Sequence, residues 1–164
     1  MITVGEILCL PELNNAIVRA GKSGLIRKIR WVHVIDTDDV GLFLEGGEFL
    51  LTSGQMWPKS KEMEERLLKS FLRHQISGIL FATGRYLSEC PESVLEFGEK
   101  NGIPVIKIPF HVPFVKITQA IHQEIMKRQY KKIEMTARVP FELLEKLQTV
   151  NDYSAICNIL ADHM

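Results

Sequence analysis

Two short apolar segments of this sequence each end in residues that could bind a ligand. These residues are Thr52, Ser53 and Gly54 after the first segment, and Thr83, Gly84 and Arg85 after the second. Hydroxyl groups and exposed glycine amides suit a small polar or anionic ligand, for which Arg85 is a candidate anchor. If the segments are parallel strands, their carboxyl ends lie at one sheet edge, where open α/β folds bind ligands. The sequence therefore predicts a ligand-binding rim at residues 52–54 and 83–85.

The same residues also have a purely structural interpretation. Glycine, serine and threonine form the turns that any parallel strand needs at its end. The pair Gly46 and Gly47 is open to both interpretations, because it either brings backbone close to a ligand or ends a helix and turns into a strand. If Gly47 has a positive φ or close contacts, we expect Gly47→Val to disrupt the entry to the strand at 49–51. We include both glycines in the predicted ligand site.

Other possible chemistries have weaker support. The segment AGKSG at 20–24 lacks the first glycine of a phosphate-binding loop, because position 16 is Ala16, and a strand connection explains it better. His33, Asp36 and Asp38 could hold a metal, but the two aspartates serve equally well as helix caps. Ser53 lacks the surroundings of a nucleophile elbow. We predict no catalytic residue, no metal and no cofactor.

A strongly electrostatic partner is not indicated by the charges. Lys+Arg and Asp+Glu both number 20, whereas domains that bind phosphate backbones usually carry a basic excess. The densest basic group, Lys127, Arg128, Lys131 and Lys132, is typical of a solvated helix face. Residues 150–164 contain no lysine or arginine, which argues against a DNA recognition helix there. We therefore reject DNA reading by this segment.

Length and cysteine content indicate a small intracellular protein. A chain of 164 residues suggests one domain with an appendage, and 46% hydrophobic residues can fill one core. Cys9, Cys90 and Cys157 are far apart and include no C-x-x-C pair, so reduced thiols are expected. No signal peptide or membrane span is evident. We expect a cytoplasmic protein without a membrane partner.

The pattern of apolar residues predicts an α/β fold. It predicts a small, mainly parallel sheet built from βαβ units, with an N-terminal strand pair and long amphipathic helices at the end. The predicted strands are residues 16–19, 29–35, 49–51, 78–82 and 103–108. The predicted helices cover residues 3–10, 40–44, 59–74 and 91–101, followed by a long helix from about Pro113. Pro104 either begins the last strand or places it at a sheet edge.

The last third of the chain predicts amphipathic helices with unpaired apolar stripes. The long helix runs to about residue 134, and Pro140 is expected to interrupt it. Exposed leucine and isoleucine stripes are costly, so they are expected to pack on a second copy or on a downstream domain. We interpret residues 135–164 as a helical linker toward a domain that this sequence does not contain. A homodimer is the expected assembly.

Two long segments resemble a known family. "GLIRKIRWVHVIDTDD" (24–39) and "FLEGGEFLLTSG" (43–54) are similar to the N-terminal domain of PucR-type purine-catabolism regulators, and the similarity extends over residues 1–125, including "PVIKIPFHVPF" (104–114). The resemblance implies a bacterial transcription regulator whose N-terminal domain is a sensory or regulatory input module. It also implies a helix-turn-helix near the far C-terminus, usually after a GAF-like segment. "LEKLQTVNDYSAICNILAD" (144–162) looks like the approach to such a segment.

Three functions follow as hypotheses. The first is a non-enzymatic input domain that dimerises, responds to a small-molecule effector and influences a downstream DNA-binding part. The second is a small-molecule enzyme that uses the rim at 52–54 and 83–85. The third is a structural connector that binds no ligand. We favour the first, because the sequence offers no base placed beside a nucleophile.

Overall fold

The structure is a computed structural model that describes residues 1–35 and 43–148, with the backbone alone for residue 132 and residues 135–148. The strands are β1 (Ile2–Thr3), β2 (Ile17–Ala20), β3 (Lys28–Ile29), β4 (Trp31–Val34), β5 (Glu48–Thr52), β6 (Gly78–Thr83) and β7 (Val105–Pro109). The α-helices are α1 (Val4–Ile7), α2 (Lys61–Arg73), α3 (Glu92–Asn101) and α4 (Phe114–Gln148). The described residues divide into two units, one over Met1–Ile125 and one that begins at Met126.

A mainly parallel sheet is the centre of the first unit. Within the described residues it has five strands in the order β2-β7-β6-β5-β4. Strands β4, β5, β6 and β7 run parallel to one another, and β2 joins β7 in the antiparallel sense. Helix α2 connects β5 to β6, and α3 connects β6 to β7, so each connection is a βαβ unit. The predicted α/β fold is confirmed.

The two predicted N-terminal strands lie at opposite edges of this sheet. Strand β2 is at one edge and β4 is at the other, so they do not pair with each other. The residues between them form a 3-10 turn over Lys22–Ile26 and the short strand β3, which pairs with β1. This connection is longer than a hairpin turn, and it takes the chain from one edge of the sheet to the other.

Alternating residues of the central strands fill two separate cores. Leu50, Ile79 and Phe81 face one side of the sheet, where they pack with Phe71 of α2 and Val94 of α3. The residues between them face the other side, where they pack with α1 and the beginning of α4; these are Phe49, Leu51, Leu80 and Ala82. Helices on both faces explain why these strands are continuous apolar runs in the sequence.

Local signals placed most helix ends correctly. Thr3 and Glu6 form the predicted capping box: the Thr3 hydroxyl accepts from Glu6 N, and Thr3 N donates to the Glu6 carboxylate at 2.7 Å. Gly102 ends α3 with a left-handed φ of 57°, as predicted. Helix α3 begins at Glu92, with Pro91 as its N-cap, one residue later than the sequence indicated.

Two predictions about prolines are corrected by the structure. Strand β7 starts at Val105, directly after Pro104, and lies between β2 and β6, so the edge alternative is wrong. Helix α4 continues past residue 140 to Gln148, so the predicted break is wrong. A proline removes one backbone hydrogen bond, and a helix with several turns on each side can retain its path.

The predicted helix at 40–44 lies mostly outside the described residues, and residues 43 and 44 are not helical. Across residues 1–35 and 43–148, we find no helix with both the length and the apolar character needed to cross a bilayer.

The central packing of α2 on the sheet gives a stability prediction. Phe71 is fully buried, whereas the next residue, Leu72, is 47% exposed. We expect Phe71→Ala to lower the free energy of unfolding by about 3–5 kcal/mol, because it empties a packed site. The control Leu72→Ala is expected to change it by about 0.5 kcal/mol or less. Urea denaturation followed by circular dichroism measures both, and equal effects would contradict the packing described here.

Candidate functional site

The carboxyl ends of β5, β6 and β7 meet at one edge of the sheet. The register pairs Thr52 of β5 with Phe81 of β6 and Thr83 of β6 with Pro109 of β7. The segments after these strands therefore emerge side by side. The structure thus places the loops at 52–54 and 83–85 at a common edge, as the parallel arrangement requires.

The residues that follow β5 mainly build a turn. Thr52 is buried, and its hydroxyl oxygen accepts a hydrogen bond from Gly54 N at 3.0 Å. Gly54 has φ +77°, and a Cβ added to it would lie 2.2 Å from Leu87 Cδ1. The Ser53 hydroxyl oxygen accepts a longer bond of 3.4 Å from Gln55 N. Thr52 and Gly54 are therefore committed to the turn, whereas Ser53 is only weakly engaged.

The residues that follow β6 have similar structural tasks. Thr83 is buried, and its carbonyl oxygen accepts from Phe110 N at 2.8 Å, which ties this loop to the end of β7. Gly84 has φ +115°, and its N–H donates to the Leu87 carbonyl at 2.7 Å. A Cβ added to Gly84 would have no heavy atom within 4 Å. Gly84 is needed for its backbone conformation, not for close packing.

Arg85 is held against two aromatic rings. Its guanidinium carbon lies 5.2 Å from the centre of the Tyr86 ring and 5.2 Å from the centre of the Phe110 ring. The two rings meet edge to face, with centres 5.7 Å apart. These distances are those of cation–π contacts. The contacts fix a positive charge beside the edge where the three strands end.

A cavity of about 310 Å³ opens at this edge. Its lining residues are Ser53, Gln55, Ala82, Tyr86, Phe110, Val112, Pro113 and Phe114. Most of these side chains are apolar, with a hydroxyl, an amide and a phenol as the polar groups. Small-molecule sites commonly combine an apolar lining with a few polar groups in this way.

Of the six predicted rim residues, Ser53 alone lines this cavity. Arg85 stacks on two of its lining rings, and the other four form the turns below it. Sequence reasoning missed Tyr86, Phe110, Val112 and Phe114. The signal for the last three was the position of "PFHVPF" (109–114), which begins at the last residue of β7, the fourth parallel strand.

Gly46 and Gly47 lie at the opposite edge of the sheet, because they precede β5. Their φ angles are +108° and +79°, and a Cβ on Gly47 would lie 2.9 Å from Arg30 Cδ. Gly47 thus combines a positive φ with a close contact, the conditions under which Gly47→Val is expected to disrupt the entry to β5. The buried Glu48 carboxylate accepts hydrogen bonds from Glu45 N at 2.7 Å and from Gly46 N at 2.8 Å. This loop is therefore closed by its own carboxylate, away from the 52–54 and 83–85 segments.

Neither a reactive thiol, nor a metal-binding cluster, nor a base bonded to Ser53 is found in the described part of the chain. Burial raises the pKa of the Cys90 thiol to about 11, so this thiol is protonated at neutral pH. Residues 1–35 and 43–148 contain no cluster of three His, Cys, Asp or Glu residues that could hold a metal ion. The proposed ligands Asp36 and Asp38 lie outside these ranges. The hydrogen-bond partner of the Ser53 hydroxyl is Gln55 N, a backbone amide, not a histidine.

Comparison with known proteins gives a family assignment. The model of the purine catabolism regulatory protein-like family matches residues 6–125, which is most of the chain. The chain belongs to this family. The five-stranded sheet, the first core and the cavity lie within the matched residues, and so does most of the second core.

Two curated relatives carry regulatory names. The chain is 24% identical over 129 residues to the "Purine catabolism regulatory protein" of Bacillus subtilis (strain 168), covering 79% of this chain and 24% of that protein. It is 19% identical over 160 residues to the "Transcriptional activator PmfR" of Paenarthrobacter nicotinovorans, covering 95% of this chain and 34% of that protein. The chain thus spans about a quarter to a third of these relatives.

One solved structure is similar in part. The CBS and DRTGG domains of the regulatory region of Clostridium perfringens pyrophosphatase align with a TM-score of 0.47 and 16% identity. The alignment covers 73% of this chain and 45% of that one.

Gly54 and Gly84 allow the cost of backbone strain to be separated from the cost of displaced packing. We expect Gly84→Ala to cost about 1–3 kcal/mol of unfolding free energy through its φ alone. Gly54→Ala has a comparable strain and, in addition, displaces Leu87, which adds about 1–3 kcal/mol. Chemical denaturation of the two variants measures the difference. Equal losses would mean that Leu87 does not pack on Gly54.

Proposed function

We propose that this chain is a sensory input module of a longer cytoplasmic transcription regulator, and that its cavity at the carboxyl edge binds a small-molecule effector. The cavity beside Arg85 is the observation that carries the proposal. Its apolar walls accept a flat or apolar body, while Ser53, Gln55 and Tyr86 offer hydrogen-bonding groups. Arg85, fixed on two rings beside the cavity, favours a ligand with an acidic or electron-rich edge. The regulatory names of both relatives support this role.

In this proposal the chain binds an effector and catalyses no reaction. Ligand binding stabilises the loops after β5, β6 and β7, which are already joined by the bond from Phe110 N to the Thr83 carbonyl. The segment containing Phe110 and Phe114 leads directly into α4. A change at the cavity is therefore adjacent to the first turn of the long helix. DNA recognition is assigned to a domain downstream of this chain.

A ligand screen tests the sensing role. A ligand present at 100 times its Kd is expected to add about 2.7 kcal/mol to the free energy of unfolding. We expect a thermal shift with at least one member of a panel of purines, nucleosides, nucleotides, purine breakdown products and amino acids. No shift across the panel would favour a connector without a ligand.

Two variants test, in the same thermal-shift assay, whether the ligand binds in the cavity at the carboxyl edge. Ser53→Leu fills the cavity and gives up only a 3.4 Å hydrogen bond, so we expect the ligand-induced shift to disappear. Ser93→Leu makes the same substitution at an exposed position outside the cavity, where the hydroxyl donates to the Glu64 carboxylate at 2.7 Å, and should preserve the shift. A shift that survives in Ser53→Leu would place the ligand elsewhere.

Dimerisation is the second part of the proposal. In α4, Met126, Tyr130 and Ile133 are 60%, 74% and 66% exposed. Their spacing of four and three residues puts them on one helix face, as in the seam of a coiled coil. Burying each side chain against a second copy would contribute about 1.5–3 kcal/mol. We therefore assign this stripe to contact between two copies of the chain.

Sedimentation velocity tests this contact. We expect the chain to sediment as a dimer at micromolar concentration and Tyr130→Glu to sediment as a monomer, because a carboxylate would be buried in the seam. Gln129→Glu introduces the same charge at the adjacent exposed position and should remain dimeric. A monomeric parent chain, or a dimer that tolerates Tyr130→Glu, would contradict the assignment.

A further inference from the structure

A second recess lies at the amino edge of the sheet, opposite the cavity described above. It is a cleft of about 630 Å³ beside the entry to β5. Its basic lining residues come from three parts of the chain: Arg27 and Lys28 before and in β3, Arg30 before β4, and Arg73 and His74 at the end of α2. We call this recess the basic cleft. Its volume is within the range of about 300–1,000 Å³ that is typical of small-molecule sites.

The charges around the basic cleft are unbalanced. Arg27, Lys28, Arg30 and Arg73 line it, and Glu45 contributes the acidic side chain. Within residues 1–35 and 43–148, none of these four cations forms an ion pair with a carboxylate. The whole chain has a formal net charge of zero, so this excess is a local concentration. Such a concentration of positive charge attracts anions.

One arginine of the cleft is held through its guanidinium, and the stem of a second packs on backbone. Arg27 Nε donates to the Ile76 carbonyl oxygen at 3.0 Å, which leaves the terminal nitrogens of its guanidinium for other acceptors. The stem of Arg30 lies over Gly47, and Arg30 N donates to the Gly47 carbonyl at 2.9 Å. The absence of a side chain at Gly47 is what permits this approach. A guanidinium fixed by such a bond, as in Arg27, binds an anion at a lower entropic cost than a free one.

The buried carboxylate nearest to this loop is already occupied. Both oxygens of Glu48 accept backbone hydrogen bonds, Oε1 from Glu45 N and Gly46 N, and Oε2 from Gly46 N at 3.0 Å. Glu48 therefore closes the loop and is not the counter-ion of the cleft.

Arg73 also complements the carboxyl end of α2, as basic residues in a last helical turn do. The case for a ligand rests mainly on Arg27 and Arg30.

We propose that the basic cleft binds a small molecule that carries two or more phosphate charges, at a site separate from the effector cavity. Arginine forks match phosphate oxygens in a bidentate manner, and several cations converge on one depression. A single open cleft of this size fits a compact polyphosphate group better than an extended nucleic-acid backbone. The chain would then have two ligand sites, one at each end of β5.

Isothermal titration calorimetry with sodium tripolyphosphate tests this proposal on the whole 164-residue chain. We expect single-site binding that weakens with added salt. Arg30→Gln keeps most of the stem over Gly47 and removes the charge, so it should weaken binding at least tenfold. Arg30→Lys should retain most of it. Arg66→Gln removes an arginine charge from an exposed position of α2 outside the cleft, and should stay within twofold of the parent chain.

Several results would overturn the proposal. They are the absence of binding heat, an equal loss in Arg66→Gln and Arg30→Gln, and a citrate affinity equal to that of tripolyphosphate. Tighter binding to a short DNA duplex than to tripolyphosphate would also overturn it in favour of a nucleic-acid surface. Thermal melts confirm that each variant is folded. The Ser53→Leu variant should bind tripolyphosphate normally, so this site and the effector cavity can fail independently.

Discussion

Parallel hydrogen bonding among β4, β5, β6 and β7 is the constraint on which the rest of the structure depends. It sends four carboxyl ends to one edge and four amino ends to the other. Because helices cover both faces, the strands must be apolar on both sides, and the polar chemistry is confined to the loops at the two edges. Any ligand site in this unit is therefore expected in the loops and not on the faces of the sheet.

The two edges have different characters because different residue types occupy them. At the carboxyl edge, Tyr86 and Phe110 line a mainly apolar cavity, with Arg85 stacked beside it. At the amino edge, Gly47 permits the Arg30 stem to approach, and Glu48 binds the loop amides that would otherwise attract an anion. Four lysine and arginine side chains then surround an open cleft. This difference supports two distinct ligand classes, and membership of a regulatory family provides a setting in which ligand binding has a use.

The fold was largely predictable from the sequence, whereas the site was predictable only in part. Runs such as 49–51 identify strands because burial on both faces leaves no polar position, and the apolar spacing in α2 identifies a helix. The position of β2 beside β7 could not be predicted, because long-range pairing leaves no local pattern. Small polar residues correctly marked the edge where three strands end, but they form its turns, and aromatic residues that look like core, such as Phe110, line the cavity. Gly46 and Gly47 precede their strand, and that order alone places them at the other edge.

A nuclear Overhauser spectrum of the isotope-labelled chain tests the parallel arrangement most directly. The account predicts backbone contacts in ascending order between β6 and β7: Ile79 near Val105, Phe81 near Lys107 and Thr83 near Pro109. It also predicts contacts between the rings of Tyr86 and Phe110, whose centres are 5.7 Å apart. Contacts in descending order, with Ile79 near Pro109 and Thr83 near Val105, would show antiparallel strands. The three loops would then lie at different edges, and the cavity at their junction would not exist.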